Sequence, residues 1–443
     1  MLFTNCTTKK EIVPTTLGII EKNFQTDLVI NYKLDKTGIQ DTFNNAISEA
    51  LRGNFDIPEY DIKMILSKPS TATVEITGKD ILVKVPIGLY LEKKTFLTTL
   101  SAHGVLQMSF ISNIDIDSIW NLSTKTILSD YKWINRPQLT IAGVNIPIQT
   151  IANAAIKQSK QYIETAIDQS IKENLTLKDK MAENMKIFKE PFRIDTSMNG
   201  WLSIKPQAFR INKVNNQQFA AYGKIEVKGT STFTTYKPPV QQSVPSLPKV
   251  FWSEHIPDSS IFRIVADIKT FDINPFIKAN LEGKTFTEGG KSITLSNIVT
   301  NCDYQYFKVT TDVAGTINGT LLIKGKPQYD ARKNEFYMDN IDIELRTKNV
   351  IHKAAAWIGE GKIRKELESM LKFPINSYLS NAQKNIDVFL KDFYTAYGIA
   401  LRVGIGRIDL ESFELQPGVI NAVLRSKLYL EVGISDFRSF NKF

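Results

Sequence analysis

The stretch Pro147-Ile148-Gln149-Thr150-Ile151-Ala152-Asn153-Ala154-Ala155 opens a run whose spacing decides the architecture. Ile148, Ile151, Ala155, Tyr162, Ile163, Ala166, Ile167 and Ile171 fall at three- and four-residue intervals, the stripe of an amphipathic helix. Pro147 suits a first helical turn, and no further breaker occurs until Pro191. A helix of roughly 40 residues is a rod of about 60 Å, and such a rod needs a cover of comparable length.

The flanking sequence predicts that cover as strand. Asp27 to Leu34 reads as a strand, followed by an amphipathic helix on Ile39, Phe43, Ile47 and Leu51 that Gly53 ends. Strand patterns follow at Asp61 to Leu66, Ala72 to Thr77 and Ile81 to Leu91. Leu106, Met108 and Phe110 alternate with Gln107 and Ser109, the period of an antiparallel sheet with one wet face. Strands near Trp201 to Ile211 and Phe219 to Phe233 close the unit.

The same order then returns. Phe262 to Ile268 matches Leu28 to Leu34, and Asn274 to Leu281 supplies a short helix. Strand patterns at Ile293 to Leu295, Phe307 to Val313 and Ile317 to Ile323 precede a one-residue phase slip between Met338 and Ile341 that predicts a β-bulge. A second helical stripe runs from Ile351 through Ile358, Leu371, Tyr378 and Ile386 to Phe393, interrupted near Gly359, Gly361 and Phe373-Pro374. Ile408 to Leu415 and Val423 to Val432 end the chain as strands. The expected fold is α+β, with two tandem pseudo-repeat lobes, each a curved antiparallel sheet wrapped on a long amphipathic helix. The expected division is a leader over 1–25, a first lobe over 26–236, a linker over 237–258 with five prolines, and a second lobe over 259–443.

This order of elements resembles the tubular lipid-binding (TULIP) superfamily in its tandem form, that of bactericidal/permeability-increasing protein. The segment Gly319 to Asp330, with Leu345 to Trp357 after it, also resembles a bacterial family of uncharacterised, often lipoprotein-like members of this kind. The resemblance implies an apolar tunnel between helix and sheet that holds acyl chains, with no cofactor. Its candidate lining is Ile148, Ile151, Ala155, Ile163, Ile167 and Ile171 on the first helix, and Leu106, Met108 and Phe110 on its sheet. In the second lobe the candidates are Leu371, Tyr378 and Ile386. The uninterrupted first helix makes the first lobe the expected groove and the second mainly structural. The alternative is a structural or adhesive envelope protein with solid lobes.

Charge and chemistry narrow the function further. The chain has 443 residues and a formal charge of +9, with its basic residues scattered among nearly as many acids. No basic cluster interleaves with aromatics, so nucleic acid is not an expected partner. His103, His255 and His352 form no metal spacing with one another or with Cys6 and Cys302, so no metal site is expected. Gly289-Gly290-Lys291-Ser292 lacks the upstream glycine of a phosphate loop and reads as a hairpin turn. Asp115-Ile116-Asp117 and Asp339 to Glu344 alternate with apolar residues as wet strand faces. The expected protein is therefore not an enzyme. Cys6, followed by the polar run Thr7 to Glu11, is a lipidation candidate. It makes a bacterial membrane the second expected partner beside a lipid, and the cell envelope the expected location.

Overall fold

The structure is a computed structural model that describes residues 26–58, 61–137, 148–195, 199–212, 214–217, 220–239, 246–347, 351–353, 358, 361–376, 379–381, 383–388 and 400–434. The first half opens with strand β1 (Thr26–Asp35) and helix α1 (Lys36–Ala50). Strands β2 (Asn54–Ile57), β3 (Ile62–Ser67), β4 (Thr73–Thr77), β5 (Asp80–Lys94), β6 (Thr99–Ile116) and β7 (Leu122–Asn135) follow. Helices α2 (Ile148–Asn174) and α3 (Leu177–Asn184) lead to β8 (Phe192–Asp195), β9 (Gly200–Ile211), β10 (Asn215–Asn216), β11 (Ala220–Thr234) and β12 (Lys249–Trp252).

The second half begins with β13 (Ser260–Lys269) and α4 (Thr270–Leu281). Its strands continue as β14 (Thr285–Glu288), β15 (Lys291–Cys302), β16 (Phe307–Gly315), β17 (Gly319–Asp330), β18 (Glu335–Arg346) and β19 (Ile351–Lys353). Helix α5 (Lys362–Met370) and the short strand β20 (Phe373–Pro374) precede a helical segment over 383–388, and β21 (Ala400–Ile405), β22 (Asp409–Gln416) and β23 (Val419–Ile434) close the chain.

These strands form three sheets. A six-stranded sheet, in the order β2-β3-β5-β6-β7 with β4 beside β5, belongs to the first half, and a seven-stranded sheet, in the order β14-β15-β16-β17-β18-β19 with β20 also on β18, to the second. The third has ten strands, ordered β12-β9-β11-β1-β13-β23-β21 with β8 on β9, β10 on β11 and β22 on β23, and is built by both halves together. The stretch Lys249 to Trp252, within the expected linker, is a strand of this sheet. Trp120 donates its Nε1–H to the carbonyl of Pro248 at 2.7 Å and buries against Phe209.

The repeat is visible in the pairing of the shared sheet. β1 runs antiparallel to β11 and β13 antiparallel to β23, while β1 also pairs parallel to β23 and β11 parallel to β13. β1 and β13 are each ten residues long and each runs straight into a helix. They meet at the single antiparallel pair Asp27↔Ile261. On either side of it a buried hydroxyl replaces the missing rung. Ser260 Oγ accepts from Val29 N at 2.8 Å and donates to Val29 O at 3.2 Å. Thr26 Oγ1 accepts from Arg263 N at 3.2 Å and donates to Arg263 O at 2.6 Å. Each hydroxyl belongs to the first residue of its strand and serves the fourth residue of the other.

Helix α2 is 27 residues long, about 40 Å, shorter than the expected rod. The chain leaves the helix at Asn174-Leu175-Thr176, where Thr176 takes φ −80°, ψ 60° and the Asn174 amide bonds back to Ser170 O at 2.8 Å. An amide side chain and a β-branched residue in sequence end a helix without proline or glycine. α2 is not wrapped by a sheet along its length. It lies over α1 and the open edge of β7, the last strand of its sheet. Glu164 Oε1 accepts from Leu128 N at 2.7 Å, and Asp168 accepts from Thr126 N at 3.3 Å and Thr126 Oγ1 at 2.7 Å. Two carboxylates one helical turn apart thus stand in for a neighbouring strand, which β7 lacks among the described residues.

In the second half the expected long helix is divided. Ile351 to Lys353 is a strand paired with β18, which puts His352 opposite Leu345 instead of at a helix start. α5 begins after Gly361, where the carboxylate of Glu288 accepts from Lys362 N at 3.0 and 3.1 Å. Phe373-Pro374 then breaks it by pairing with β18. The expected bulge is present. The β17–β18 register shifts between Lys324 and Lys326, opposite Asn340 at φ +51°.

Two outcomes follow for stability. Thr26→Val with Ser260→Ala removes both clasp hydroxyls and leaves buried backbone groups unpaired, at about 1–3 kcal/mol for each site. A urea midpoint equal to that of the parent protein would refute the clasp. Glu164→Ala with Asp168→Ala bares two edge amides, and self-association that rises with concentration is expected in light scattering. A variant that stays monomeric and equally stable would remove the edge-covering role of α2.

Candidate functional site

Among the described residues no three His, Cys, Asp or Glu side chains stand together as a metal site would require. His103 lies exposed on β6 with its ring 4.8 Å from that of Tyr90, its cross-strand neighbour. Cys302 is buried, its thiol 2.9 Å from Gln416 O and 3.4 Å from Val419 O, and burial pushes its pKa upward, against thiolate formation. Asp115 pairs with Lys79 at 2.5 Å, and Asp117 accepts from Ile119 N and Asn121 N in the turn after β6. Asp342 and Glu344 both pair with Lys324, at 3.0 and 2.6 Å. Each acidic string is thus spent on cross-strand or turn structure. Gly289 and Gly290, at φ +58° and +76°, form the two-residue turn of the β14–β15 hairpin.

The apolar candidates divide by half. Ile163, Ile167 and Ile171 on α2 are 0% exposed, as are Leu106, Met108 and Phe110 on β6. These six side chains belong to one packed cluster with α1 and the strands of the six-stranded sheet. A channel wide enough for an acyl chain would leave accessible surface on its lining, so no such channel runs past them. Over Ile163 to Ile171 the described side chains of the stripe pack as core. Ile148, Ile151 and Ala155 are helical, but their side chains lie outside the described residues, as do Tyr378 and Cys6 altogether. Leu371 is 0% exposed in the core of the second half, over the seven-stranded sheet.

Ile386 is placed differently. The helical segment 383–388 crosses the shared sheet where Phe262 and Ile264 of β13 lie beside Leu424 and Leu428 of β23. Ile386 and Ile408 line an apolar slot with these four and with Ile405, the cross-strand neighbour of Leu428 on β21, and Arg425 and Ser426 also border it. The slot has about 10 Å³ of free volume, close to the space of one water. Gln383 ties the helix to the sheet by donating to Ile405 O at 2.9 Å. Upstream, Ile375 N donates to Asn334 O at 2.8 Å, and Asn334 is fixed by the Tyr329 hydroxyl at 2.6 Å and by Asn376 at 2.7 Å. The segment is therefore tethered at two points with the slot beside the second.

A larger cleft of about 540 Å³ lies between the start of α1, β4 and β10, lined by Lys36, Thr37, Gln40, Thr73, Glu75 and Asn216 among others. It is open and polar, and Lys36 Nζ crosses it to Asn216 Oδ1 at 2.9 Å. Its composition offers nothing to an acyl chain. Reading the sequence for helical stripes found Ile386. It missed Phe262, Ile264, Leu424 and Leu428, whose only signal was the alternation shared by every strand.

No curated protein matches this chain. Among solved structures, lipopolysaccharide binding protein aligns with 92% of this chain and 98% of its own at 10% identity and a TM-score of 0.27. P47 of Clostridium botulinum E1 aligns with 90% of this chain and 98% of its own, also at 10% identity, with a TM-score of 0.18. Neither score is high enough to carry an argument about fold or ligand. The sequence itself is matched from residue 26 to residue 434, from the first strand of the clasp to the last strand of the shared sheet, and over that span the chain belongs to the family described as "Domain of unknown function (DUF4403)".

Proposed function

We propose that this protein is a non-catalytic binder of a lipid or similar amphiphile at the bacterial cell envelope, and that it holds the apolar chain in the second half. One observation carries the proposal. Helix and sheet leave a gap between apolar side chains beside Ile386, whereas the corresponding face of α2 is filled. In this state the slot is closed. Binding requires the 383–388 segment to lift from Leu424 and Leu428, breaking the Gln383 hydrogen bond. An acyl chain of about 16 carbons gives on the order of 12 kcal/mol gross at ~0.8 kcal/mol per methylene, enough to offset both that bond and the exposed isoleucine. The N-terminal Cys6, if lipidated, would hold the protein beside a source of such chains.

The filled face of α2 favours a second reading, a structural or adhesive envelope protein with solid lobes. The two differ in a direct measurement. On the first reading, native mass spectrometry of the purified chain finds a bound amphiphile, and a fluorescent 16-carbon fatty acid is taken up saturably. Ile386→Trp, which fills the slot, is expected to weaken uptake about tenfold, or ~1.4 kcal/mol. Ile167→Ala, a cavity in the first core, is expected to cost about 2–5 kcal/mol of stability with uptake unchanged. Parent protein with neither bound amphiphile nor uptake would leave the solid-lobed reading standing, and undiminished uptake by Ile386→Trp would move the site away from the slot.

A further inference from the structure

β5 and β6 pair over their whole length, from Asp80↔Asn113 to Lys94↔Thr99, but their neighbours stop short. β3 accompanies β5 only as far as Lys63↔Glu92, and β7 accompanies β6 only as far as Val105↔Asn135. The rungs Lys93↔Leu100 and Lys94↔Thr99 therefore project beyond the sheet as a two-stranded finger, with no neighbouring strand among the described residues.

The end of the finger is closed and rigid. Thr95 N donates to Thr98 O at 2.9 Å, the Thr95 hydroxyl donates to the same carbonyl at 2.7 Å, and Thr98 N donates back to that hydroxyl at 3.1 Å. This turn presents Phe96 and Leu97 at 102% and 89% exposure. Both values exceed those of the other large apolar side chains on the described surface, and Phe271 and Tyr304, at 73% and 66%, stand singly. Lys93 and Lys94 form the collar directly behind the tip, and Lys63 lies one strand over, beside Glu92.

We propose that this finger docks the protein on an anionic lipid bilayer, with Phe96 and Leu97 entering the acyl boundary and Lys93 and Lys94 level with the headgroups. Two adjacent apolar side chains held in water by a hydrogen-bonded turn serve no packing role among the described residues. A tip of two residues is far below the area of a stable protein interface, yet it suits a fluid phase that closes around whatever enters it. The charge behind it has the sign that anionic headgroups attract, and the order from the tip, Phe96 and Leu97, then Thr95 and Thr98, then Lys94, follows the polarity gradient of a membrane surface. The finger acts whether or not the seam at Ile386 holds a lipid, so the two proposals stand or fall separately.

The full chain carrying Cys6→Ser, so that no lipid anchor contributes, is sedimented with vesicles of phosphatidylglycerol and phosphatidylethanolamine, and with neutral phosphatidylcholine vesicles. Binding is expected to the anionic vesicles and to weaken in high salt. Phe96→Ser with Leu97→Ser is expected to lower the partition coefficient about tenfold or more with an unchanged melting temperature, because neither side chain contributes to the core. Lys93→Glu with Lys94→Glu is expected to abolish the preference for anionic vesicles. A fluorophore on Phe96→Cys is expected to shift to the blue with phosphatidylglycerol vesicles. Equal binding by the Phe96/Leu97 variant, no blue shift, or a dimer that this variant converts to monomer would each overturn the assignment, the last by showing a second copy as the occupant of the tip.

Discussion

Everything in this molecule is referred to one point, the crossing of β1 and β13 at Asp27↔Ile261. Two strands that diverge after one rung leave their backbone groups facing each other too far apart to pair, and unpaired buried backbone is costly. The reciprocal bonds of Thr26 and Ser260 answer this with a hydroxyl that donates and accepts at once, so that one atom serves both the N–H and the C=O of the facing residue. The parallel pairings of β1 with β23 and of β11 with β13 carry the ten-stranded sheet through the junction, and the same hydroxyl device, used twice with the roles of the halves exchanged, closes the gap between them. The two halves consequently share a layer and are not beads joined by a linker. The residues 249–252, expected to be free, are drawn into the same sheet as its outermost strand.

The second constraint is the edge of β7. A fourteen-residue edge strand with unused amides invites another chain, and here it is covered by a helix instead of another strand. Glu164 and Asp168 hold α2 at the height of Thr126 and Leu128, which in turn sets Ile163, Ile167 and Ile171 into the concavity behind. Between Ile163 and Ile171 a helix fastened along an edge and buried to zero exposure on its other face leaves no open tunnel beside it. The absence of a channel past those residues and the protection of the edge are two results of the same placement.

Much of this was legible in the sequence wherever the signal is local. Periodicity placed α1 through Ile39, Phe43 and Ile47, the alternation of Leu106, Met108 and Phe110, and the bulge near Asn340. What it could not carry is any pairing between distant residues. Thr26 and Ser260 are ordinary polar residues at strand starts until their partners are known. The end of α2 at Thr176 has no proline or glycine to mark it. The spacing of Ile351 fits a helix, but the edge of β18 captures it as strand, a tertiary outcome that local pattern does not contain. A core stripe and a groove stripe are also the same sequence, since both need apolar residues at helical spacing. Only the fit of the opposite wall separates Ile167, which is packed without a gap, from Ile386, which is buried beside a slot of about 10 Å³.

That difference gives the pseudo-symmetric halves unequal roles. The first half fastens its helix along its length, through carboxylates on one side and isoleucines on the other. The second half breaks its helix at Pro374 and fastens the remainder at Asn334 and Gln383, two polar anchors with an apolar slot beside the second. A continuous helix can leave a sheet only by losing its whole buried stripe at once. A segment pivoting after a proline loses one hydrogen bond and the contacts of one or two side chains, a cost within reach of a few methylenes of ligand. The proline that reads in the sequence as a defect of the second helix is, on the proposed function, what allows the second half to open while the first half and the clasp hold the sheet in place.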